Sequence, residues 1–269
     1  MNSEQIKTKL IGVFGEKPVA FIQAVRFLYL LFRRPTPDPE IALLPVLLEK
    51  GDTVVDVGAN GANWTYWLHR QVGNTGLVYA FEADPYYARA TAIAIRLLRM
   101  KGVHLFPFGL SESDEELPLV IADAQGSRLS GLSHIDKNAE KHGRNFQIVR
   151  LKRLDSLIGD FPRLAATKLI KCDVEGYELL VFRGAVEILE RSRPYIVLET
   201  GHYEMQGYSA RDVFEFFAER DYASYAMLRD DTLARTDPMM EHPGTLGVNR
   251  VMLPREKLMI LKDKIRTIE

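Results

Sequence analysis

The chain has 269 residues, 46% of them hydrophobic, so it is long enough to enclose a large core. Its 35 Lys and Arg residues nearly balance its 36 Asp and Glu residues, for a net charge of −1. No global positive field attracts polyanions, so nucleic acid is not an expected partner. The single cysteine, Cys172, excludes an internal disulfide and a multi-cysteine metal site and favours a cytoplasmic location.

The first 38 residues predict a separate helical segment. The run 19–32 is nearly all apolar, but it is shorter than the roughly 20 apolar residues of a membrane-spanning helix, contains Gln23 and Arg26, and lacks a secretory cleavage pattern. The following residues form a helical stripe that favours packing on the core or on another subunit: Phe21, Ala24, Val25, Leu28, Leu31 and Phe32. A helix lying on a membrane is the alternative, so peripheral membrane contact through 19–32 and a homo-oligomer both stay open.

Pro35, Pro37 and Pro39 make a stiff connection and predict a domain boundary near Asp38. The main domain is then 39–253, followed by a C-terminal helix over 254–269. Apolar runs predict five buried strands, at 53–58, 76–82, 103–110, 167–173 and 195–200. Helix-period runs between them cover 63–71, 86–100 and a stretch containing Leu179, Phe182, Val186 and Leu189. Strands that alternate with helices predict a Rossmann-like α/β fold with a mostly parallel sheet.

Two regions interrupt the alternation. Residues 117–154 have turn-rich, polar composition with a strand expected at either end, and we interpret this insertion as a flap over the acceptor. Later, Ser209 and Asp212 predict a capping box before a helix. Strands at 222–228 and 247–253 complete a seven-stranded sheet with an antiparallel edge. Leu258, Leu261, Ile265 and Ile268 have the spacing of an amphipathic C-terminal helix.

The first predicted strand runs into a glycine-rich turn and then a helix, the place where open α/β sheets bind ligands. Gly58 and Gly61 allow a sharp turn and close approach of a ligand, and Asp56 can accept hydrogen bonds from an ammonium group. Glu82 ends the second strand, where an acidic residue holds ribose hydroxyls. Asn60 stands where the dinucleotide fingerprint needs a glycine, which disfavours NAD. The pattern fits a ligand with ribose, ammonium and carboxylate groups but no phosphate.

The ordered set of motifs resembles the FkbM family of S-adenosylmethionine-dependent methyltransferases. These motifs are Asp56-Val-Gly-Ala-Asn60, Ala80-Phe-Glu82-Ala-Asp-Pro85, Arg153-Leu-Asp155-Ser-Leu, Lys171-Cys-Asp173-Val-Glu175-Gly176-Tyr-Glu178 and Pro194-Tyr-Ile-Val-Leu-Glu199. The resemblance implies a class I methyltransferase fold, S-adenosylmethionine as cofactor, and methyl transfer to a hydroxyl of a sugar or natural product. The family loop usually has glycine where Ala62 stands and proline where Ala83 stands.

We predict that Asp56, Gly58, Asn60, Gly61, Glu82 and Asp173 bind the cofactor. The candidate catalytic residues are Asp173, as an acid beside the cofactor, and Glu175, as the base or the anchor for a small-molecule or glycan acceptor. His202 is the alternative base. In a competing interpretation, Lys171 forms a structural ion pair with Asp173 or Glu178.

Asp173, Glu199 and His202 could also hold Mg²⁺, but no metal is predicted. Three other functions stay open: an inactive cofactor-binding subunit, an N- or carboxyl-methyltransferase, and, less favoured, an NAD-dependent oxidoreductase.

Overall fold

A computed structural model describes residues 3–33, 38–123, 128–129, 132–228, 232–236, 249–261 and 266–268. Its helices are α1 (Ser3–Phe14), α2 (Glu16–Arg33), α3 (Leu44–Leu47), α4 (Asn63–Val72), α5 (Pro85–Leu97), α6 (Glu178–Arg183), α7 (Val186–Ser192), α8 (Ala210–Ala218) and α9 (Arg255–Leu261). Its strands are β1 (Thr53–Val57), β2 (Leu77–Phe81), β3 (Val103–Phe106), β4 (Gly109–Leu110), β5 (Glu115–Ala122), β6 (His134–Ile135), β7 (Asn145–Lys152), β8 (Thr167–Cys172), β9 (Tyr195–Glu199), β10 (Tyr222–Met227), β11 (Leu233–Arg235), β12 (Asn249–Pro254) and β13 (Thr267–Ile268).

The main sheet has the strand order β13-β11-β10-β12-β9-β8-β1-β2-β3. Strands β3, β2, β1, β8 and β9 are parallel, and β12 and β10 continue the sheet in antiparallel pairing. The predicted α/β architecture is therefore confirmed, and all seven predicted strands lie side by side. Two short strands, β11 and β13, extend the sheet beyond the expected seven. Because β1, β2, β8 and β9 run parallel, their carboxyl ends meet at one edge.

A second sheet in the order β4-β7-β5-β6 lies beside this edge. The predicted third strand over 103–110 is divided between the two sheets. Its first part, β3, pairs with β2, whereas Gly109 and Leu110 form β4 and pair with β7. Strands β5 and β7 stand near the two ends of the insertion and pair along most of their length. The insertion is therefore largely an antiparallel sheet, whose apolar face buries Leu119, Val149 and Leu151.

Helix α2 packs on α5 through a face that differs from the predicted stripe. Val19 and Ala20 lie against Tyr86, Tyr87 and Ala90. Of the predicted stripe, only Ala24 and Leu31 are buried, whereas Phe21, Val25 and Phe32 are exposed. The stripe as a whole therefore does not pack on the core of this chain, and its packing on another subunit stays a prediction. The run is apolar on nearly all sides, so periodicity alone could not select the face that packs on α5. Pro35 and Pro37 lie outside the described residues.

The structure of the C-terminal region agrees with only part of what the sequence predicts. The capping box of Ser209 and Asp212 begins α8 as predicted. The predicted C-terminal helix ends at Leu261 among the described residues, and Ile268 lies in β13 paired with β11 instead. Ile265 and Gly247 lie outside the described residues. No helix in the described ranges is long and apolar enough to cross a bilayer.

Candidate active site

A cavity of about 270 Å³ opens where the carboxyl ends of β1, β2, β8 and β9 face the second sheet. Its polar lining is acidic and includes the side chains of Glu82, Asp84, Asp173, Glu175 and Glu199 together with Asn60. The second sheet closes the opposite side with apolar residues, among them Leu119, Ile135 and Leu151. A concave site with convergent polar groups and an apolar wall is typical of small-molecule binding.

The turn after β1 is held by backbone hydrogen bonds in an unusual conformation. Gly58, Asn60, Gly61 and Ala62 all have positive φ angles, of 83°, 29°, 87° and 76°. A left-handed backbone favours glycine, so Ala62 adopts the conformation of the glycine that the family pattern has there, despite its methyl group. The N–H of Gly61 donates to Thr91 Oγ1 at 3.1 Å. Gly61 therefore shapes the turn and does not line the cavity.

Gly58 was predicted to admit a ligand, and it does line the cavity. Its missing side chain has a further structural reason. A Cβ atom built on Gly58 would lie 1.9 Å from the backbone oxygen of Asp173. The N–H of Asp173 donates to Val57 at 3.0 Å, which holds the ends of β1 and β8 together. Because Gly58 has no side chain, the loops that follow β1 and β8 can come into contact.

Glu82 connects the turn to the second strand. Its carboxylate accepts the backbone N–H groups of Asn60 and Asp84, each at 2.8 Å. Burial raises the pKa of Glu82 to about 7, against the lowering effect of these two hydrogen bonds. Each oxygen has a lone pair left, so the side chain can also accept hydroxyl donors from the cavity. Glu82 therefore lines the cavity, and its role as a ribose acceptor stays a prediction.

Asp56 is not at the cavity. Side chains alternate along a strand, so Val57 faces the cavity and Asp56 faces α4 on the other side of the sheet. There its carboxylate accepts the hydroxyl of Thr65, and burial raises its pKa to about 6. This position does not support the predicted contact between Asp56 and a cofactor ammonium group. The residue instead belongs to a buried polar layer beneath the turn.

Three carboxylates converge at the ends of β8 and β9. Asp173, Glu175 and Glu199 each offer an oxygen atom within 4.8 Å of the others. Asp173 also lies 3.3 Å from the buried ammonium of Lys171, so the ion pair of the competing interpretation is present. Although burial opposes ionisation, Lys171 and a hydrogen bond with Glu199 lower the pKa of Asp173. Burial, that hydrogen bond and the neighbouring charges raise the pKa of Glu199 far above its usual range. The opposite directions of these two pKa shifts favour the charged form of Asp173 and the neutral form of Glu199.

Glu175 differs from Asp173 because no Lys or Arg among the described residues forms an ion pair with it. Burial and the charge of Asp173 raise the pKa of Glu175 to about 7, and its side chain is 13% exposed on the cavity wall. His202 Nε2 lies 3.8 Å from Glu175 Oε2, but its ring is 61% exposed. The predicted alternative base, His202, is not among the residues that line the cavity. Both residues have left-handed backbone, with φ of 54° and 60°.

The sequence reasoning missed two residues. The sequence suggests Glu199 only as a metal ligand, whereas its side chain forms a hydrogen bond with that of Asp173. Glu178 was considered only as a partner for Lys171, but its carboxylate accepts the N–H groups of Val174 and Gly176 at 3.0 and 3.4 Å. A glutamate at the first position of a helix, two residues after a glycine, is a signal for such a turn-closing contact.

The carboxylate trio has the oxygen chemistry of a divalent cation site, but it differs from the predicted set. Glu175 takes the place that had been considered for His202. Among the described residues, these three carboxylates are the group that could hold a metal ion.

The strand order, the antiparallel strand β12 and the ligand cavity at the strand ends define a class I methyltransferase fold. The model of the family "Methyltransferase FkbM domain" matches residues 56–224, more than half of the chain. The chain belongs to the FkbM methyltransferase family.

Individual relatives are distant. "Methyltransferase 1" of Beauveria bassiana (strain ARSEF 2860) is 27% identical over 143 residues, which cover 49% of this chain and 57% of that protein. The crystal structure of Methyltransferase FkbM from Methylobacillus flagellatus KT aligns with a TM-score of 0.49 and 15% identity, over 91% of this chain and 59% of that one. A SAM-dependent methyltransferase from Aquifex aeolicus aligns with a TM-score of 0.40 and 17% identity, over 71% of this chain and 83% of that one. The chain thus spans less than two thirds of the first two relatives.

Proposed function

We propose that this chain is an S-adenosylmethionine-dependent methyltransferase that methylates a hydroxyl oxygen of a sugar or natural product. The observation that carries this proposal is the position and acidity of Glu175. It lies on the cavity wall just after β8, and burial and the charge of Asp173 raise its pKa to about 7. A carboxylate with that pKa is suited to accept the proton that an alcohol loses during methylation.

The three carboxylates then have separate tasks. Methyl transfer is an in-line displacement, so the acceptor oxygen must be held in line with the breaking carbon–sulfur bond. Glu175 accepts the hydroxyl proton, Asp173 supplies a negative charge held in place by Lys171, and Glu199 orients Asp173 through a hydrogen bond.

The acidic lining fits a ligand that carries a sulfonium and an ammonium group. Glu82 and the Asn60 turn would hold the ribose side, and Asp173 would lie near the positively charged end. S-adenosylmethionine supplies an electrophilic methyl group there. The carboxylates of the cavity favour this cation over a diphosphate, which disfavours NAD at the same site.

The acceptor side is formed by the second sheet. Leu119 and Ile135 face the strand ends across the cavity, and His134 adds one polar group. An apolar wall with few polar groups suits a small-molecule or glycan acceptor that presents one hydroxyl to Glu175. A cytoplasmic location, suggested by the single buried Cys172, is part of the same proposal.

The direct test combines binding and transfer. Calorimetry with S-adenosylmethionine, S-adenosylhomocysteine and NAD should show binding of the first two. Transfer of a labelled methyl group to a panel of sugars and hydroxylated natural products should then identify the acceptor class. Binding without transfer to any acceptor would favour the inactive cofactor-binding subunit, and labelled amines or carboxylates would favour the other methyltransferase classes. Tight NAD binding with no response to S-adenosylmethionine would refute the proposal.

The Glu82→Ala variant is expected to bind S-adenosylmethionine more weakly by about 1.5–3 kcal/mol for each charged hydrogen bond lost. The substitution removes the ribose acceptor and also releases the N–H groups of Asn60 and Asp84. Calorimetry measures the change. Glu112→Ala is the matched control, because Glu112 is a partly exposed carboxylate that does not line the cavity. Equal affinity in the two variants would show that Glu82 does not contact the cofactor.

A further inference from the structure

The outward face of α2 is apolar although it is exposed. Five large side chains on it are between 45% and 71% exposed: Phe21, Ile22, Val25, Tyr29 and Phe32. At 100° per residue they fall within an arc of about 100° on the helix. A continuous row of exposed aromatic and aliphatic residues is uncommon on a protein surface and marks an interaction site. We call this row the outer face of α2.

Basic residues border the outer face on both sides. Arg26 and Arg33 lie along one edge and Lys17 along the other, and all three are exposed. Arg33 extends over the ring of Tyr29 at 5.3 Å. The one acidic residue of α2, Glu16, pairs with Arg89 of α5 at 2.8 Å and so does not offset this charge.

The charge of this segment contrasts with that of the chain. Residues 3–33 contain five Lys and Arg residues and two Glu residues, whereas the whole chain has a net charge of −1. An apolar row bordered by cations matches the interface of an anionic bilayer, where apolar side chains enter the acyl boundary and cations meet the headgroups. We propose that the outer face of α2 docks the protein on a membrane surface that contains anionic phospholipid.

A second copy of the chain is a less suitable occupant. In a twofold dimer the same patch meets itself, so the Arg26, Arg33 and Lys17 borders of two copies would come together without acidic partners from α2. Like charges brought together across an interface oppose association. The same charges are favourable against anionic headgroups.

The docked face is coupled to the active site through packing. The opposite side of α2 rests on Tyr86 and Tyr87 of α5, and Tyr87 lines the cavity. Thr8 of α1 accepts the N–H of Arg128, and the Arg128 side chain pairs with Asp84 on the cavity wall. Docking through α2 would therefore hold the cavity beside the bilayer surface, independently of which reaction takes place there.

The experiment is flotation of the full chain with two kinds of vesicle, one of phosphatidylcholine alone and one with roughly a third phosphatidylglycerol. We expect binding to the anionic vesicles that weakens as salt is raised. The double variants Phe21→Ser with Phe32→Ser and Arg26→Glu with Arg33→Glu should each lower partitioning roughly tenfold or more, since each basic residue contributes measurably at such a surface. Circular dichroism checks that both remain folded.

The matched control is Met259→Ser with Ile260→Ser on α9, because these side chains are also apolar and 69% and 66% exposed. This variant should bind vesicles as the wild type does. Two results would overturn the proposal. One is vesicle binding that does not depend on phosphatidylglycerol or on salt concentration. The other is wild-type vesicle binding by the Arg26→Glu with Arg33→Glu variant. A dimer in light scattering that Phe21→Ser with Phe32→Ser dissociates, with no vesicle binding, would assign the outer face to a second copy instead.

Discussion

The Glu175→Gln variant is expected to lose about 10²–10⁴-fold in kcat while it binds S-adenosylmethionine nearly as well as the wild type. A general base acts on the acceptor proton only in the transition state, so its loss lowers turnover and leaves cofactor affinity largely unchanged. Glutamine keeps the shape of the side chain and removes its ability to take a proton. Single-turnover kinetics with saturating acceptor and calorimetry with the cofactor measure the two quantities separately.

The same assignment predicts the pH profile of the wild type. Burial raises the pKa of Glu175 to about 7, and the base must be deprotonated to act. The rate should therefore rise about tenfold per pH unit below that pKa and become level above it. In Glu175→Gln the inflection near neutrality should disappear.

Asp173→Asn should instead weaken both cofactor binding and turnover, since the charge of Asp173 faces the cavity both before and during methyl transfer.

Glu199→Gln is the matched control for Glu175→Gln. Both changes replace a carboxyl group of the same trio with an amide, but the raised pKa of Glu199 favours its neutral form, which can donate a hydrogen bond to Asp173. An amide can donate in its place, so the loss in kcat should be much smaller. If His202→Ala abolishes turnover and Glu175→Gln keeps it, the base is the histidine. If Glu199→Gln is as damaging as Glu175→Gln, the trio acts as a unit and no single base can be assigned.

The parallel core of the fold could be predicted because its sequence signals are strong. Buried parallel strands are continuous apolar runs, such as Val54–Val55 in β1 and Ile196–Leu198 in β9, and helices with one apolar face separate them. The division of 103–110 between two sheets could not be predicted. The pairing of Gly109 with Leu151 connects positions far apart in sequence, and no local pattern records such a contact.

The site could be predicted in its location more than in its details. The carboxyl ends of parallel strands fix where Glu82, Asp173 and Glu175 lie. Whether Asp56 points toward the cavity or away from it depends on strand register, because a shift of one residue moves a side chain to the opposite face of the sheet. The hydrogen bond between Asp173 and Glu199 depends on the distance between the ends of two strands, which the sequence does not contain. Helix α2 gives the same lesson, because its apolar residues surround the axis and only packing selects the buried ones.

Gly58→Ala is expected to destabilise the protein by about 3 kcal/mol or more, the scale of overpacking in a rigid site. The new Cβ atom would meet the backbone oxygen of Asp173 at 1.9 Å, and the φ of +83° adds the strain of a left-handed alanine. The two loops cannot easily move apart to relieve this contact, because the N–H of Asp173 donates a hydrogen bond to Val57 of β1. The contact also displaces Asp173 itself, so cofactor affinity should fall together with stability.

The Gly61→Ala variant measures the cost of backbone strain without the steric contact that Gly58→Ala introduces. Gly61 has nearly the same φ, +87°, but no atom lies within 4 Å of the added Cβ. This variant should therefore lose only the cost of a left-handed alanine, about 1–2 kcal/mol. For a chain of this size, each 1 kcal/mol corresponds to a Tm change of about 2–4 °C, so thermal unfolding resolves the two variants. If Gly58→Ala unfolds no earlier than Gly61→Ala, the close approach of the β1 and β8 loops is absent in solution, and with it the geometric basis for placing Asp173 beside the cofactor turn.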